Sequence, residues 1–313
     1  MDEDEEDWGE EMNVVDSYRE DWVRIYGKTG SLFEDDTEIP YMRYTDGPIL
    51  PMEASPMNLI QIFSVKVVEI KGGLQWPLDV YGHVAVRDSL DHKRNILSRR
   101  NREDRQTLAS PQDSSSRLTG TSHAIVLLDP VIFEVDLKIK RHGSTSESED
   151  KVLSYHAFCY GHSYSAGFAR REVESTEHST MEFTFAQLDS AVEATIQVHV
   201  VEGSSSSSAG FTARFAARTA GVDEDVVLHD SRGEAVAVDD DGLVAFQRRV
   251  VVVEERGEHA LLTVHVEAAE CGGGGGDSVV KKVSFRPRTA LRSKAFMRLG
   301  FCKLSVVFAW SML

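Results

Sequence analysis

The densest group of side chains able to do chemistry is Arg87, Asp88, Asp91, His92, Lys93, Arg94 and Asn95, gathered within nine residues. Carboxylates beside guanidinium groups, in a loop held by rigid strands, could grip a charged ligand. Arg87, Asp88, Asp91, Arg94 and Asn95 therefore form the candidate binding loop. The same residue types build an Asx-type turn, in which Asp88 or Asp91 accepts backbone N–H groups and pairs with Arg87 or Arg94. The turn is the favoured reading. Asp239-Asp240-Asp241-Gly242 offers carboxylates to calcium. Neighbouring side chains of an extended segment point alternately, however, and calcium wants roughly six to eight oxygens, so a solvated turn is expected. His156, Cys159 and His162 straddle a strand end and are too few for a structural zinc, so core or loop roles are expected and no metal is assigned.

Signatures of catalysis are missing from the sequence. It contains no Gly-x-Ser-x-Gly nucleophile elbow, no Gly-x-x-x-x-Gly-Lys phosphate loop and no His-Glu-x-x-His helix. The Gly272 to Gly276 run is followed by neither Lys-Ser nor Lys-Thr, nor by a helix. Paired carboxylates of a glycosidase stay open, because their separation belongs to the fold. No catalytic residue and no cofactor is assigned.

The chain of 313 residues carries 34 basic and 51 acidic side chains, a formal charge of −17. Such a surface repels phosphate. With no local basic patch read to offset it, nucleic acid and anionic membranes are not expected as partners. The richest basic run, Arg99-Arg100-Asn101-Arg102-Glu103-Asp104-Arg105, includes two acids and no aromatic for a base to stack on, and reads as a solvated hairpin turn. Cys159, Cys271 and Cys302 are scattered and odd in number, which fits a reducing compartment. The start, Met1-Asp2-Glu3-Asp4-Glu5-Glu6-Asp7, is the reverse of a signal-peptide n-region. The apolar run Leu304 to Leu313 is about half of the ~20 residues a membrane-spanning helix needs, and reads as a last buried strand. An intracellular, cytoplasmic protein is expected.

These side chains need elements to hold them. Trp8, Met12, Val15, Tyr18, Trp22 and Ile25 recur at helical spacing, and Gly27 supplies a stop. Ser17 and Glu20 have capping-box spacing, so the regular helix is expected to begin at Ser17. Residues 28–56, with Pro40, Pro48, Pro51 and Pro56, read as an extended leader. Beyond Pro56 the period changes to two. Residues 59–68 are apolar on both faces at their start. Phe133, Val135, Leu137 and Ile139 alternate with Glu134, Asp136, Lys138 and Lys140, which places one face on a core and the other in water. Further strands are expected near 79–87, 95–99, 105–109, 123–128, 151–158, 181–188, 191–201, 211–218, 225–229, 247–254, 259–267, 279–285 and 302–312. The expected fold is all-β, an antiparallel sandwich or distorted barrel behind an N-terminal helix and leader. Ser144 to Ser148, Ser204 to Ser208 and Gly272 to Gly276 read as loops of one domain over 57–313, after an acidic helix and leader over 1–56.

Several stretches resemble a known family. They are Gln61-Ile62-Phe63-Ser64-Val65-Lys66, Leu74-Gln75-Trp76-Pro77-Leu78-Asp79-Val80-Tyr81-Gly82, Val84-Ala85-Val86-Arg87-Asp88 and Asp91-His92-Lys93-Arg94-Asn95. With Leu118-Thr119-Gly120, Asp129-Pro130-Val131, Phe133 to Leu137, Leu228-His229-Asp230-Ser231 and Trp310-Ser311, they resemble, in order, the grass-expanded domain-of-unknown-function family numbered 6598. Trp22, Tyr26-Gly27 and Phe33-Glu34-Asp35 resemble its leader. The chain departs at Thr121-Ser122-His123, where relatives tend to carry Pro-Ser-Arg, and at Ser98, where an aromatic is usual. The resemblance implies a plant protein with an all-β domain of no established activity, joined in some relatives to a ribosome-inactivating N-glycosidase domain. That glycosidase family uses Glu-x-x-Arg on a buried helix, and no arginine here has a glutamate three residues before it. The expected function is a non-catalytic module that recognises a protein partner. The alternative is an accessory or degenerate member of a ribosome-inactivating defence system.

Overall fold

The structure, a computed structural model, describes residues 13–47, 54–143, 145–163, 166–203, 210–258, 260–271 and 278–313. One helix, α1 (Val14–Tyr26), opens it. It starts earlier than Ser17 because the Asn13 side chain accepts the Val15 N–H at 2.9 Å and caps it. Its last turn tightens through Gly27 to Thr29, and Gly30, at φ 85°, ends it in the left-handed region. Val15 and Trp22 are buried against the sheets, whereas Ile25 is 56% exposed and lies off the docked face. Trp8 and Met12 fall outside the described residues. The helix therefore docks on its own sandwich. Tyr155 donates to Asp16 at 2.9 Å across that contact.

Sixteen strands follow among the described residues. The first eight are β1 (Met57–Ile70), β2 (Leu78–Arg87), β3 (Asn95–Arg100), β4 (Gln106–Leu108), β5 (Ile125–Val126), β6 (Val131–Ile139), β7 (Lys151–Tyr160) and β8 (Arg170–Ser175). The rest are β9 (Ser179–Gly203), β10 (Phe211–Thr219), β11 (Val226–Asp230), β12 (Val250–Glu254), β13 (Leu262–Glu270), β14 (Val279–Phe285), β15 (Arg292–Arg298) and β16 (Cys302–Ser311). All named strand pairs are antiparallel and no sheet closes into a barrel. A central seven-stranded sheet runs β15-β16-β9-β1-β5, with β8 and β12 also on β9. A five-stranded sheet (β3-β2-β6-β7, with β4 on β2) and a four-stranded sheet (β11-β10-β13-β14) complete the fold.

The central sheet feeds two cores. Leu59 and Phe63 join one hydrophobic cluster, with the four-stranded sheet, while Ile60 and Ile62 join the other, with the five-stranded sheet. This is why the start of β1 is apolar on both faces. A bulge between Ile62 and Ser64 shifts the register by one, so Val65 and Val67 follow Ile60 and Ile62 into the second core. β9 behaves likewise. Met181, Phe183 and Phe185 belong to the second core and Val192, Ala194, Ile196 and Val198 to the first, along one continuous strand of 25 residues. The sequence pattern suggests two strands there. The last strand, β16, is buried as expected, with Leu304, Val306, Phe308 and Trp310 in the first core.

Two further differences have simple causes. β3 and β4 both pair with β2 and lie end to end along it, so the arginine-rich run between them is not a hairpin turn. β8 and β15 give weak sequence signals because the less exposed positions of β8 are the charged Arg170, Glu172 and Glu174, and the inward residues of β15 are Ser293, Ala295 and Met297. The tracts Ser204 to Ser208 and Gly272 to Gly276 lie outside the described residues, as does Ser144, while residues 145–148 connect β6 to β7. The leader straps both cores. Phe33 is buried, Met42 donates its N–H to Glu193 and the Thr45 hydroxyl donates to the Trp310 carbonyl at 2.8 Å. No described helix is long and apolar enough to cross a membrane.

Candidate functional site

The candidate loop joins β2 to β3, and the fold brings it against α1, the leader and β6. Arg87, at the end of β2, is 2% exposed. Its Nε donates to Glu134 Oε2 at 2.8 Å, one Nη to the Phe33 carbonyl at 2.6 Å and the other to the His92 carbonyl at 3.1 Å. The guanidinium lies 4.0 Å from the Phe33 ring centroid. Arg94 Nε reaches Glu134 Oε1 at 2.9 Å, and His83 Nε2 lies 3.2 Å from the same oxygen. The Trp22 indole donates to the His92 carbonyl at 2.8 Å, and Tyr26 stacks on the His92 ring at 4.0 Å.

Glu134 is the hub. Alternation along β6 places it in water, yet it is 2% exposed because the loop and leader cover that face. Burial works to raise its carboxyl, but the hydrogen bond with His83 and the charges of Arg87 and Arg94 outweigh it and hold the group at about 2. Burial lowers Arg87 from the ordinary arginine value, opposed by Glu134.

Asp88, Asp91 and Asn95 turn the other way. Asp88 accepts from the backbone N–H groups of Leu90 and Val126, both at 3.0 Å. Asp91 accepts from Lys93 N–H and from the Thr37 hydroxyl at 2.7 Å. Asn95 accepts the Ser122 N–H at 2.8 Å and donates to the His123 carbonyl at 3.0 Å. The fully buried His123 sits between them. Thr37 Oγ1 is 3.4 Å from its Nε2 and Asp88 Oδ2 is 3.8 Å from its Nδ1, the order of a nucleophile, base and acid. The protons run elsewhere. Nδ1 lies 2.8 Å from the Ala124 carbonyl, which accepts its proton, and the Thr37 hydroxyl is committed to Asp91. Next to this cluster the fully buried Glu193 accepts N–H bonds from Ala124 at 2.8 Å and Met42 at 3.0 Å, and burial raises its carboxyl. Burial also raises Asp88, countered by His123.

The other sequence candidates separate. Asp239 Oδ1 accepts from Asp241 and Leu243 N–H at 3.0 and 2.7 Å, the hydrogen bonding of a turn. His156 bonds Glu174 at 2.9 Å, and Cys159, an odd number of residues along β7, faces the opposite side. Among the described residues no group of three or more His, Cys, Asp or Glu is placed to hold a metal ion. All three cysteines are free. Arg99, Arg100, Arg102 and Arg105 are neutralised by Asp36, Asp104, Asp150 and Asp79. Cavities of about 710 Å³ beside Leu74, Asp79 and Arg141, and about 410 Å³ beside Thr37, Ser122 and Arg249, lie at the surface of these sheets.

One charged segment corrects the sequence reading. Residues 278–313 hold eight cations, Lys281, Lys282, Arg286, Arg288, Arg292, Lys294, Arg298 and Lys303, and no acid, which leaves −25 on the first 277 residues. A basic segment therefore exists, with Arg292, Lys294 and Arg298 on β15. Its cations are spaced by apolar and small residues, and the signal in the sequence is the missing acids. Arg292 pairs with Asp46 and Lys303 with Glu202, whereas the other six make no ion pair among the described residues. Sequence reading also missed Glu134, His83 and Thr37 as partners of the loop, since 40 to 54 residues separate each from the residue it meets.

Among solved structures, the chain is similar to human GIVD cytosolic phospholipase A2 bound to methyl gamma-linolenyl fluorophosphonate. The identity is 9% and the TM-score 0.25, over 83% of this chain and 33% of that one. It is also similar to a structure of extended-synaptotagmin 2 that holds its SMP domain and two C2 domains, at 7% identity and TM-score 0.24 over 85% and 59% of the two chains. The chain thus spans about a third of the phospholipase, and likenesses at these scores carry no argument. No curated protein matches significantly. The family described as a domain of unknown function, DUF6598, matches residues 59–308, from the start of β1 to the middle of β16, and the chain belongs to that family.

Proposed function

We propose that this chain is a non-catalytic β-sandwich module that recognises another protein in a plant cell. The observation that supports this reading is how the chemistry-bearing side chains around the β2–β3 loop are spent. Glu134 is consumed by Arg87, Arg94 and His83, and Thr37, His123, Asp88 and Asp91 by one another and by backbone groups. A catalytic centre needs an acid, base or nucleophile left over for substrate. A scaffold needs the reverse, loops fixed from within so that an outer surface holds its shape.

The test is affinity capture from plant extract with the full chain at physiological salt, quantified against an unrelated acidic β-sandwich protein. Retention of a discrete protein by this chain alone is expected. Equal recovery on both would end the reading. The accessory role in ribosome inactivation draws only on the company of relatives. Incubating the chain with ribosomes should leave the ribosomal RNA undepurinated, and adenine release that tracks the purified chain would favour that alternative.

A further inference from the structure

We infer that the free edge of β15 is a docking strand for an acidic, extended segment of a partner protein, which adds to the central sheet as a further strand. The inference rests on the recognition reading above and assigns it a surface and a chemistry. β15 pairs with β16 on one side, and among the described residues no strand and no backbone hydrogen bond occupies its other side. Among the described residues its N–H and C=O groups on that side are left for another peptide to use.

The side chains of the strand state what that peptide should be. Ser293, Ala295 and Met297 face the first core, across from Phe308, Val306 and Leu304. The alternate positions, Arg292, Lys294, Phe296 and Arg298, face outward about 7 Å apart. Phe296 is 56% exposed, with the Lys294 and Lys303 ammonium groups 5.3 and 5.0 Å from its ring centroid. An incoming strand with acids at every second position would set them, on one face, opposite Lys294 and Arg298, which make no ion pair among the described residues, and opposite Arg292, which holds Asp46, with one position left against Phe296; this is the geometry in which cross-strand charge pairs act.

Cations at a sheet edge also serve to repel unwanted pairing. That purpose does not account for 36 residues without an acid in a chain of net charge −17, nor for an exposed phenylalanine among the cations. A nucleic acid is the lesser fit. It cannot complete the open main-chain edge, and it would find one exposed aromatic to stack on where successive ones are usual.

The test is fluorescence anisotropy on the full chain with a short labelled peptide of alternating glutamate and valine. Saturable, salt-sensitive binding is expected, with little for the glutamine–valine analogue. The Lys294→Glu/Arg298→Glu chain should bind about tenfold or more weakly, as two reversed cross-strand pairs imply. N-methylation of alternate peptide nitrogens, which keeps the charge and removes donors, should weaken binding comparably. Circular dichroism and melting confirm that each variant folds, both substitutions being at exposed positions. Unchanged affinity in the variant or for the methylated peptide would overturn the proposal. So would tighter binding of oligothymidylate lost in the same variant, which would mark a polyanion surface. A large gain in peptide affinity on replacing Asp2 to Asp7 by their amides would show the chain's own terminus filling the edge, and would overturn an external partner. If the variant still captures the same protein from extract, the recognition reading survives and the β15 assignment fails.

Discussion

Arg87 and Glu134 form the buried ion pair of the candidate loop. Replacing Arg87 by methionine keeps much of the volume but leaves Glu134 buried beside only Arg94 and His83, and orphans the Phe33 carbonyl. The expected loss is about 3–5 kcal/mol of unfolding free energy, measured by urea titration, because removing one partner of a buried ion pair is the costly case. The acid limb of stability gives a second check. Glu134 titrates at about 2 in the fold against an ordinary 4.5, so its ionised form contributes stability above the unfolded value, and that contribution disappears as pH falls from 4.5 towards 2. It amounts to something on the order of 3 kcal/mol. Glu134→Gln should therefore flatten the fall in urea midpoint across this window. A wild-type slope in the variant would mean that other carboxylates carry the acid limb. Asp88 and Glu193 have the opposite sign, since their raised values make folding less favourable as pH rises through them.

At the scale of elements, α1 and the β2–β6 ladder carry the candidate loop. Trp22 closes the loop through its indole bond to the His92 carbonyl and its edge contact with Phe33, 5.7 Å between centroids. Trp22→Ala should cost about 3–5 kcal/mol and raise amide exchange in residues 88–94 above that of the strands. Equal exchange across loop and strands would show that the helix merely decorates the sheet. Gly82 tests the ladder. It sits at φ 115°, and a Cβ there would collide with the Asp136 carbonyl oxygen of the neighbouring strand. Gly82→Ala should destabilise by more than about 2 kcal/mol in the same titration, since both the backbone angle and the strand approach require its absent side chain. Element-level sequence signals were strong where inward residues are large. Phe133, Val135 and Leu137 are buried as their alternation implied, and Ile139 packs on the same core. They were weak where the inward side is Ser293-x-Ala295 or the covering group is a loop.

For the whole molecule, β1 and β9 contribute to both cores, so neither core can lose them and persist. Native-state hydrogen exchange should report one global opening energy for amides of β6 and of β16, and Val65→Ala should lower both by the same amount, about 2 kcal/mol. If β16 kept its protection while β6 lost it, the two sandwiches would be independently stable.

The sequence by itself determined the class of fold, because a period of two with Val, Ile and Phe at inward positions has no helical solution. It also determined the helix, through its three- and four-residue apolar spacing, and the acid-free last 36 residues. Only the tertiary structure decided which polar groups meet. Glu134, His83, Arg87 and Arg94 lie on two strands and a loop, and Thr37, Asp88 and His123 on three segments up to 86 residues apart. No local spacing encodes such meetings, since they follow from strand register and from the path of the leader. The free side of β15 belongs to the same order of information. Whether a strand lies at an edge depends on which neighbours the whole sheet supplies, and that is settled by packing two cores around one sheet.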